Sequence, residues 1–170
     1  IEYSNFAQEH FIDEWVADTV TFEQNGVKMG CVADGQPNVP GQEWHCDRFN
    51  AMLGVHSSYL YQALYKDDPE LKELAVRCAN LFKYKGLHLH QNYDGTFGEH
   101  YEWGYRVYTG QPDDEFGHQS FWGSYESGHR EELHYAAYDM RAAYTFWDHG
   151  LVFNDEDMKR FGASISHAMW

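Results

Sequence analysis

The chain is short of positive charge, of cysteine and of long apolar runs, and each shortage narrows what it does. Twelve Lys and Arg stand against 27 Asp and Glu, a formal net charge of −15 with no basic run anywhere in 170 residues. Affinity for a phosphate backbone comes mainly from clustered Lys and Arg, so nucleic acid and anionic membrane are not expected partners. Three cysteines, Cys31, Cys46 and Cys78, are too few for a disulfide scaffold, and their spacing fits no CxxC zinc or redox motif. One Cys31–Cys46 bridge is expected if the protein is exported; buried thiols packing as small apolar groups are the equal alternative. No stretch approaches the roughly 18 to 20 uninterrupted apolar residues of a membrane span. The start, Ile1-Glu2-Tyr3-Ser4, has neither a Met nor a basic-then-apolar leader. The chain therefore reads as soluble, as processed or part of a longer protein, and as secreted or periplasmic. A P-loop, a Rossmann fingerprint, a GxSxG elbow and HExxH are also missing, which leaves nucleotide-dependent, serine-hydrolase and zinc-protease readings without support.

What is present is apolar and aromatic. Hydrophobic residues make up 43%, with 6 Trp, 13 Tyr and 11 Phe, enough for a real core in one ordinary domain. Phe6, Phe11, Ile12, Trp15 and Val16 have helical spacing over 6–17. After them Val20 and Phe22, then Val27, Met29 and Cys31, alternate on either side of Asn25-Gly26, the strongest short-range hairpin signal. Asp34 to Gly41 is a loop.

The next segments have the pattern of α/α-hairpins. Asp47 to about Lys66 repeats apolar residues every three to four positions. Asp68 is an N-cap with Pro69 at N1, Leu71 to Phe82 form a stripe, and Gly86 reads as a C′ glycine. A second pair runs from about Arg130 to His149, stopped by Gly150, and from the N-cap Asn154 to Trp170. The fold class expected is thus mainly α, toroid-type α/α-hairpins with a small β-hairpin, over residues 1–170 as one whole or partial domain. Between the pairs, Leu87 to His129 reads as a long loop dense in Gly, His, Tyr and Trp, and loops of that length in compact domains are usually functional.

Within it, Gln91-Asn92-Tyr93-Asp94-Gly95-Thr96-Phe97-Gly98-Glu99-His100-Tyr101-Glu102-Trp103-Gly104-Tyr105 contains an Asp-Gly-Thr-Phe followed by an acid and a Tyr-x-Trp-x-Tyr run. Together with Glu126-Ser127-Gly128-His129 and Tyr138-Asp139-Met140-Arg141, this resembles α/α-toroid polysaccharide lyases of the heparinase II/III-like type, over about Glu43 to Trp170. The resemblance implies β-elimination at a uronic acid. A base removes the proton α to the carboxylate, hydrogen-bond donors neutralise the carboxylate, and an acid protonates the leaving oxygen. Tyr105, Tyr101, His100 and Asn92 fall within fourteen residues and, with His129, are the catalytic candidates; Arg106 lies beside them. Arg48, Asn50, His45, Trp103, Arg106 and Trp122 are the expected substrate contacts, Trp103 and Trp122 by stacking on sugar. The packing alternative, in which these tyrosines and Trp103 fix the loop to the helices, carries equal weight.

His88 and His90, two apart, share a face if the segment is extended, where they would chelate or stack on sugar. Glu126 with His129 and Glu131 with His134 form two Glu-x-x-His pairs whose mutual spacing does not suit a bridged metal site. No cofactor is expected; a structural divalent metal is the option that the resemblance leaves open. The charge of −15 disfavours a polyanionic substrate unless Arg48, Arg106, Arg130 and Arg141 gather at the site. A toroid hydrolase is the alternative enzyme, pairing Glu99 or Glu102 with Asp94 or Glu126. Gln91 to Gly98 is also similar to a Gln-x-x-Asp-Gly-x-x-Gly turn of terpene-cyclase-like toroids, and a non-catalytic glycan-binding segment is the third reading. Partners expected are a poly- or oligosaccharide and either further copies or the remainder of a longer chain.

Overall fold

The computed structural model describes residues 5, 8–34, 45–46, 49–91, 98–103 and 133–168, which are mainly helical with two small antiparallel sheets. A π-turn at Gln8–Ile12 leads into a short helix, α1 (Asp13–Ala17). The helical spacing read over 6–17 is thus met over its described part, 8–17, as one helical run that begins as a π-turn. Ile12 is buried, with Trp15 and Val16 packed beside it, while Phe11 is exposed.

Strands β1 (Thr19–Gln24) and β2 (Val27–Asp34) pair around Asn25 and Gly26, whose φ angles of 53° and 77° are the positive pair that a type I′ turn requires. β3 (His45–Cys46) adds to the far edge of β2, with Ala33 opposite Cys46. Cys31 and Cys46 form a disulfide, their Cα atoms 5.5 Å apart and both side chains buried, which settles the choice between bridge and free thiols. Cys78 is a free, buried thiol.

Helices α2 (Phe49–Lys66) and α3 (Pro69–Leu81) make the expected αα-hairpin, joined only by Asp67 and Asp68. Asp67 has φ 56°, and the Asp68 carboxylate accepts the N–H groups of Glu70 and Leu71 at 3.1 and 3.0 Å, satisfying two of the donors that a helix start leaves open. Phe49, Met52, Leu53, His56, Tyr59, Leu60 and Ala63 form the buried stripe of α2. α3 packs on α2 and on β2, where Gly30 leaves room for the Cys78 thiol: a Cβ there would stand 3.3 Å from Sγ.

The end of α3 departs from the sequence reading. The helix passes into a π-turn at Phe82–Gly86. Gly86 serves close packing instead of a left-handed cap, because a Cβ would come within 2.7 Å of the Phe49 ring and 2.8 Å of Phe82. Nor is Leu87 onward simply loop: β4 (Leu87–Gln91) and β5 (Glu99–Trp103) form an antiparallel pair.

Helix α4 (Leu133–Asp148) ends as Gly150 predicts. Gly150 has φ 67°, its N–H binds the Trp147 carbonyl, and Leu151 N–H binds the Phe146 carbonyl, both at 2.8 Å, a Schellman ending. Asn154 caps α5 (Asp155–Ala168) reciprocally: its side chain accepts from Asp157 N–H while the Asp157 carboxylate accepts from Asn154 N–H. The two helices do not form a second tight hairpin. α4 packs mainly against α2, and α5 against β5. Phe82 is the centre of this core, its ring 5.0 Å from Phe49, 6.1 Å from Trp103, 6.4 Å from Phe153 and 6.3 Å from Phe161.

Candidate functional site

The β4–β5 hairpin carries most of the described candidates, and its register decides which of them meet. Leu87 lies opposite Trp103, His88 opposite Glu102, Leu89 opposite Tyr101, His90 opposite His100 and Gln91 opposite Glu99. Residues directly opposite share a face and successive residues alternate. Positions 88, 90, 100 and 102 therefore belong to one face, and Leu87, Leu89, Tyr101 and Trp103 to the other. The extended geometry that would align His88 with His90 is present.

The Tyr101 face packs on α5. Ser164 of α5 grips the outer edge of β5: its hydroxyl accepts from Tyr101 N–H at 3.0 Å and lies 2.6 Å from the Tyr101 carbonyl. Since those main-chain groups point away from β4, His90–His100 and His88–Glu102 are the hydrogen-bonded pairs, with Cα atoms about 5.5 Å apart. The Tyr101 O–H donates to Asp157 at 2.5 Å, and its ring lies 5.2 Å from Phe161. Burial and the Asp157 carboxylate both raise its pKa, so Tyr101 holds its proton and is a poor base. Trp103, 9% exposed, donates its indole N–H to the buried Asp139 at 3.0 Å and meets Phe82 and Phe161 edge-on. Tyr101, expected as a catalytic candidate, and Trp103, expected to stack on sugar, both pack here against α5 and the Phe82 core.

Asp157 organises this side. Burial opposes its ionisation, but the ammonium of Lys83 at 2.8 Å, the Tyr101 hydroxyl and the Asn154 N–H at 2.9 Å outweigh that and hold the carboxyl below its usual range. Arg160 binds Glu99 through Nε at 3.2 Å and Nη2 at 2.5 Å and reaches the Tyr101 oxygen at 3.4 Å. Glu99 is therefore occupied by Arg160, on the opposite side of β5 from Glu102, and the partners expected for a hydrolytic pair, Asp94 and Glu126, lie outside the described residues.

On the other face His100 is 2% exposed, with Nδ1 3.4 Å from the Gly98 carbonyl and Nε2 3.6 Å from a Glu102 carboxylate oxygen. An imidazole oriented by a carboxylate is suited to moving a proton. Among the described residues no group of three or more His, Cys, Asp or Glu is arranged to hold a metal ion, and no helix is long and apolar enough to cross a membrane.

His45 lies in β3 opposite Asp34, and Asn50 in the first turn of α2, away from the hairpin in sequence and element. Arg48, Asn92, Tyr105, Arg106, Trp122 and His129 fall outside the described residues, as do Asp94, Glu126 and Glu131. Sequence reasoning missed Lys83, Asp157, Arg160 and Ser164, and named Asp139 only within the Tyr138-Asp139-Met140-Arg141 segment. For Asp157 a signal existed, the Asn154-x-x-Asp157 capping box; the others are joined to the hairpin only by tertiary contact. Compared with known protein families, curated proteins and solved structures, the chain has no match in any of the three.

Proposed function

We propose that this chain is part of a polysaccharide-cleaving protein built on α/α-toroid helices, acting on a uronate-containing glycan by β-elimination. The observation that carries the reading is the His100–Glu102 pair on the polar face of the β4–β5 hairpin, with positions 88 and 90 aligned beside it. In the reaction a base takes the proton α to the carboxylate, the electron pair forms a carbon–carbon double bond, and the glycosidic carbon–oxygen bond breaks as its oxygen is protonated. An imidazole beside a carboxylate suits the proton transfers, and the Asp94 to Tyr105 segment supplies the resemblance to lyases. Asn92 and Arg106 have the donors that the substrate carboxylate needs, and Tyr105 a hydroxyl for the base or acid role.

One observation favours a second reading, a glycan-binding segment without turnover: His100 is enclosed and the Tyr101 proton is committed to Asp157. Incubation with a panel of uronate polysaccharides separates the two, following ultraviolet absorbance of the unsaturated product and counting reducing ends in parallel. Elimination gives both signals together, and both are lost in Tyr105→Phe or His100→Ala. Reducing ends without absorbance mean hydrolysis. Glycan retention with neither signal means binding alone.

A further inference from the structure

The corner between α4 and α5 holds a groove of about 750 Å³ that includes no residue of the β4–β5 hairpin. Its walls include Trp147 and Phe153, with Asp148, Asp155, Glu156 and Lys159 around them. We propose that this groove binds an amino sugar, a pyranose unit with a free ammonium group, within an oligosaccharide. The volume is in the range of small-ligand sites, about 300 to 1,000 Å³. The Trp147 indole is held in one orientation by its N–H bond to Asp155 at 2.8 Å, and the Tyr144 ring, outside the groove lining, packs 5.2 Å from it. Such faces take the C–H side of a pyranose and attract an ammonium through the ring quadrupole.

Charge selects among sugars. Three carboxylates face one ammonium, and Lys159 is paired with Glu156 at 3.4 Å. The local field therefore favours a cation and repels a uronate. The walls are fixed in advance: Gly150 closes α4, the Val152 carbonyl is bound by Lys83 at 2.7 Å, and Asn154 caps α5, so binding orders little that was mobile. A lysine-rich peptide has the charge but lacks the flat C–H face that the Trp147 ring suits. This inference does not rest on elimination chemistry, because its test reads binding and not turnover.

The test is a titration of the ¹⁵N-labelled chain with a glucosamine tetramer at about pH 6, where an amine of this kind is charged, following the Trp147 indole N–H resonance assigned with Trp147→Phe. A saturable shift in the millimolar range is expected. It weakens roughly fivefold in Asp148→Asn, about the effect of losing one exposed charge contact, and further when salt shortens the Debye length to about 3 Å. The N-acetylated tetramer should bind more weakly and a uronate tetramer not at all. No shift with the amine tetramer, or equal affinity for the acetylated or uronate tetramers, overturns the proposal. Equal or tighter binding of a lysine tetramer assigns the groove to basic peptide and overturns it as well.

Discussion

Two regions of the molecule share one apolar core but differ in what is added to it. Around α2, α3 and β1–β3 the interior is apolar side chains and one buried disulfide, Cys31–Cys46. Around β4, β5 and α5 the aromatic core of Phe82, Trp103, Phe153 and Phe161 is supplemented by a chain of charge-assisted hydrogen bonds, Lys83 to Asp157 to Tyr101, with Arg160 to Glu99 beside it. The apolar region has a polar exception in its middle: His56 is 0% exposed, its ring 5.4 Å from Tyr59, and neither ring nitrogen has a hydrogen-bond partner among the described residues. The difference predicts how each region fails. Packing and a covalent link fail by cavity or reduction, whereas a buried charge network fails when one partner leaves another unpaired.

The largest effect is expected at Asp157. Asp157→Ala strands the largely buried Lys83 ammonium and the Tyr101 hydroxyl together, which should cost about 3–5 kcal/mol, read as a lower urea midpoint at unchanged slope. Asp157→Leu with Lys83→Met removes both charges and should recover most of that loss. A single-variant cost under about 1 kcal/mol would mean that the network behaves as a surface ion pair and that the contrast between regions is false. The pH dependence has a definite sign. The folded carboxyl is held below its usual range, so its contribution is complete above about pH 4 and is lost as pH falls through the folded value.

Reduction tests the other region. The bridge spans a sequence separation of 15, a loop for which cross-linking is worth about 3 kcal/mol. Unfolding with and without a thiol reductant should show that loss. Amide exchange should then accelerate in β1 and β2 while β5, clamped by Ser164, keeps its protection. Equal acceleration in both would join the two regions into one cooperative unit.

His56 separates the regions by pH. Burial pushes its pKa down to about 3, so the folded state keeps the ring neutral while the unfolded chain protonates it below about 6.5. Its contribution is complete above that value and falls, as pH drops towards 3, by roughly 1.4 kcal/mol per unit. At pH 5 the loss is about 2 kcal/mol. In His56→Leu this component of the slope should vanish between pH 6.5 and 4, a window in which Asp157 is still ionised. A wild-type slope retained in the variant would place the acid sensitivity elsewhere.

These contrasts also explain what was legible in the sequence. Asn25-Gly26, Asp68-Pro69, Gly150 and Asn154 act through their own backbone or the next turn, and each does what its type predicts. Gly86 has the position of a cap but answers to Phe49, 37 residues away, which no local pattern reveals. His100, Tyr101 and Trp103 stand out by composition, yet their roles follow from strand register, which sends neighbours to opposite faces. Closeness in sequence also misleads along a hairpin: Leu87 and Gln91 are about 13 Å apart at strand spacing. The pairing of α4 with α2 depends on faces that are apolar in every helix, so periodicity alone does not choose the partner.

The smallest effects lie at the α4–α5 corner and test whether its backbone is strained or merely curved. Gly150, at φ 67° with open space where a Cβ would be, should lose about 1 kcal/mol as Ala, from conformation alone. Val152, at φ 57°, is β-branched in the same left-handed region, with Phe153 N–H bound to the Leu151 carbonyl at 2.6 Å across it. Val152→Gly removes that strain while losing a partly buried side chain and freeing the unfolded chain, so the terms oppose. A change within about 0.5 kcal/mol is expected, against an ordinary cost of 0.5–1 kcal/mol for glycine inside regular structure. Thermal unfolding resolves the pair, since about 1 kcal/mol shifts the midpoint by roughly 2–4 °C in a domain of this size. If Val152→Gly costs more than Gly150→Ala, the Val152 side chain matters more than its strain, and the corner is held by packing like the apolar region it adjoins.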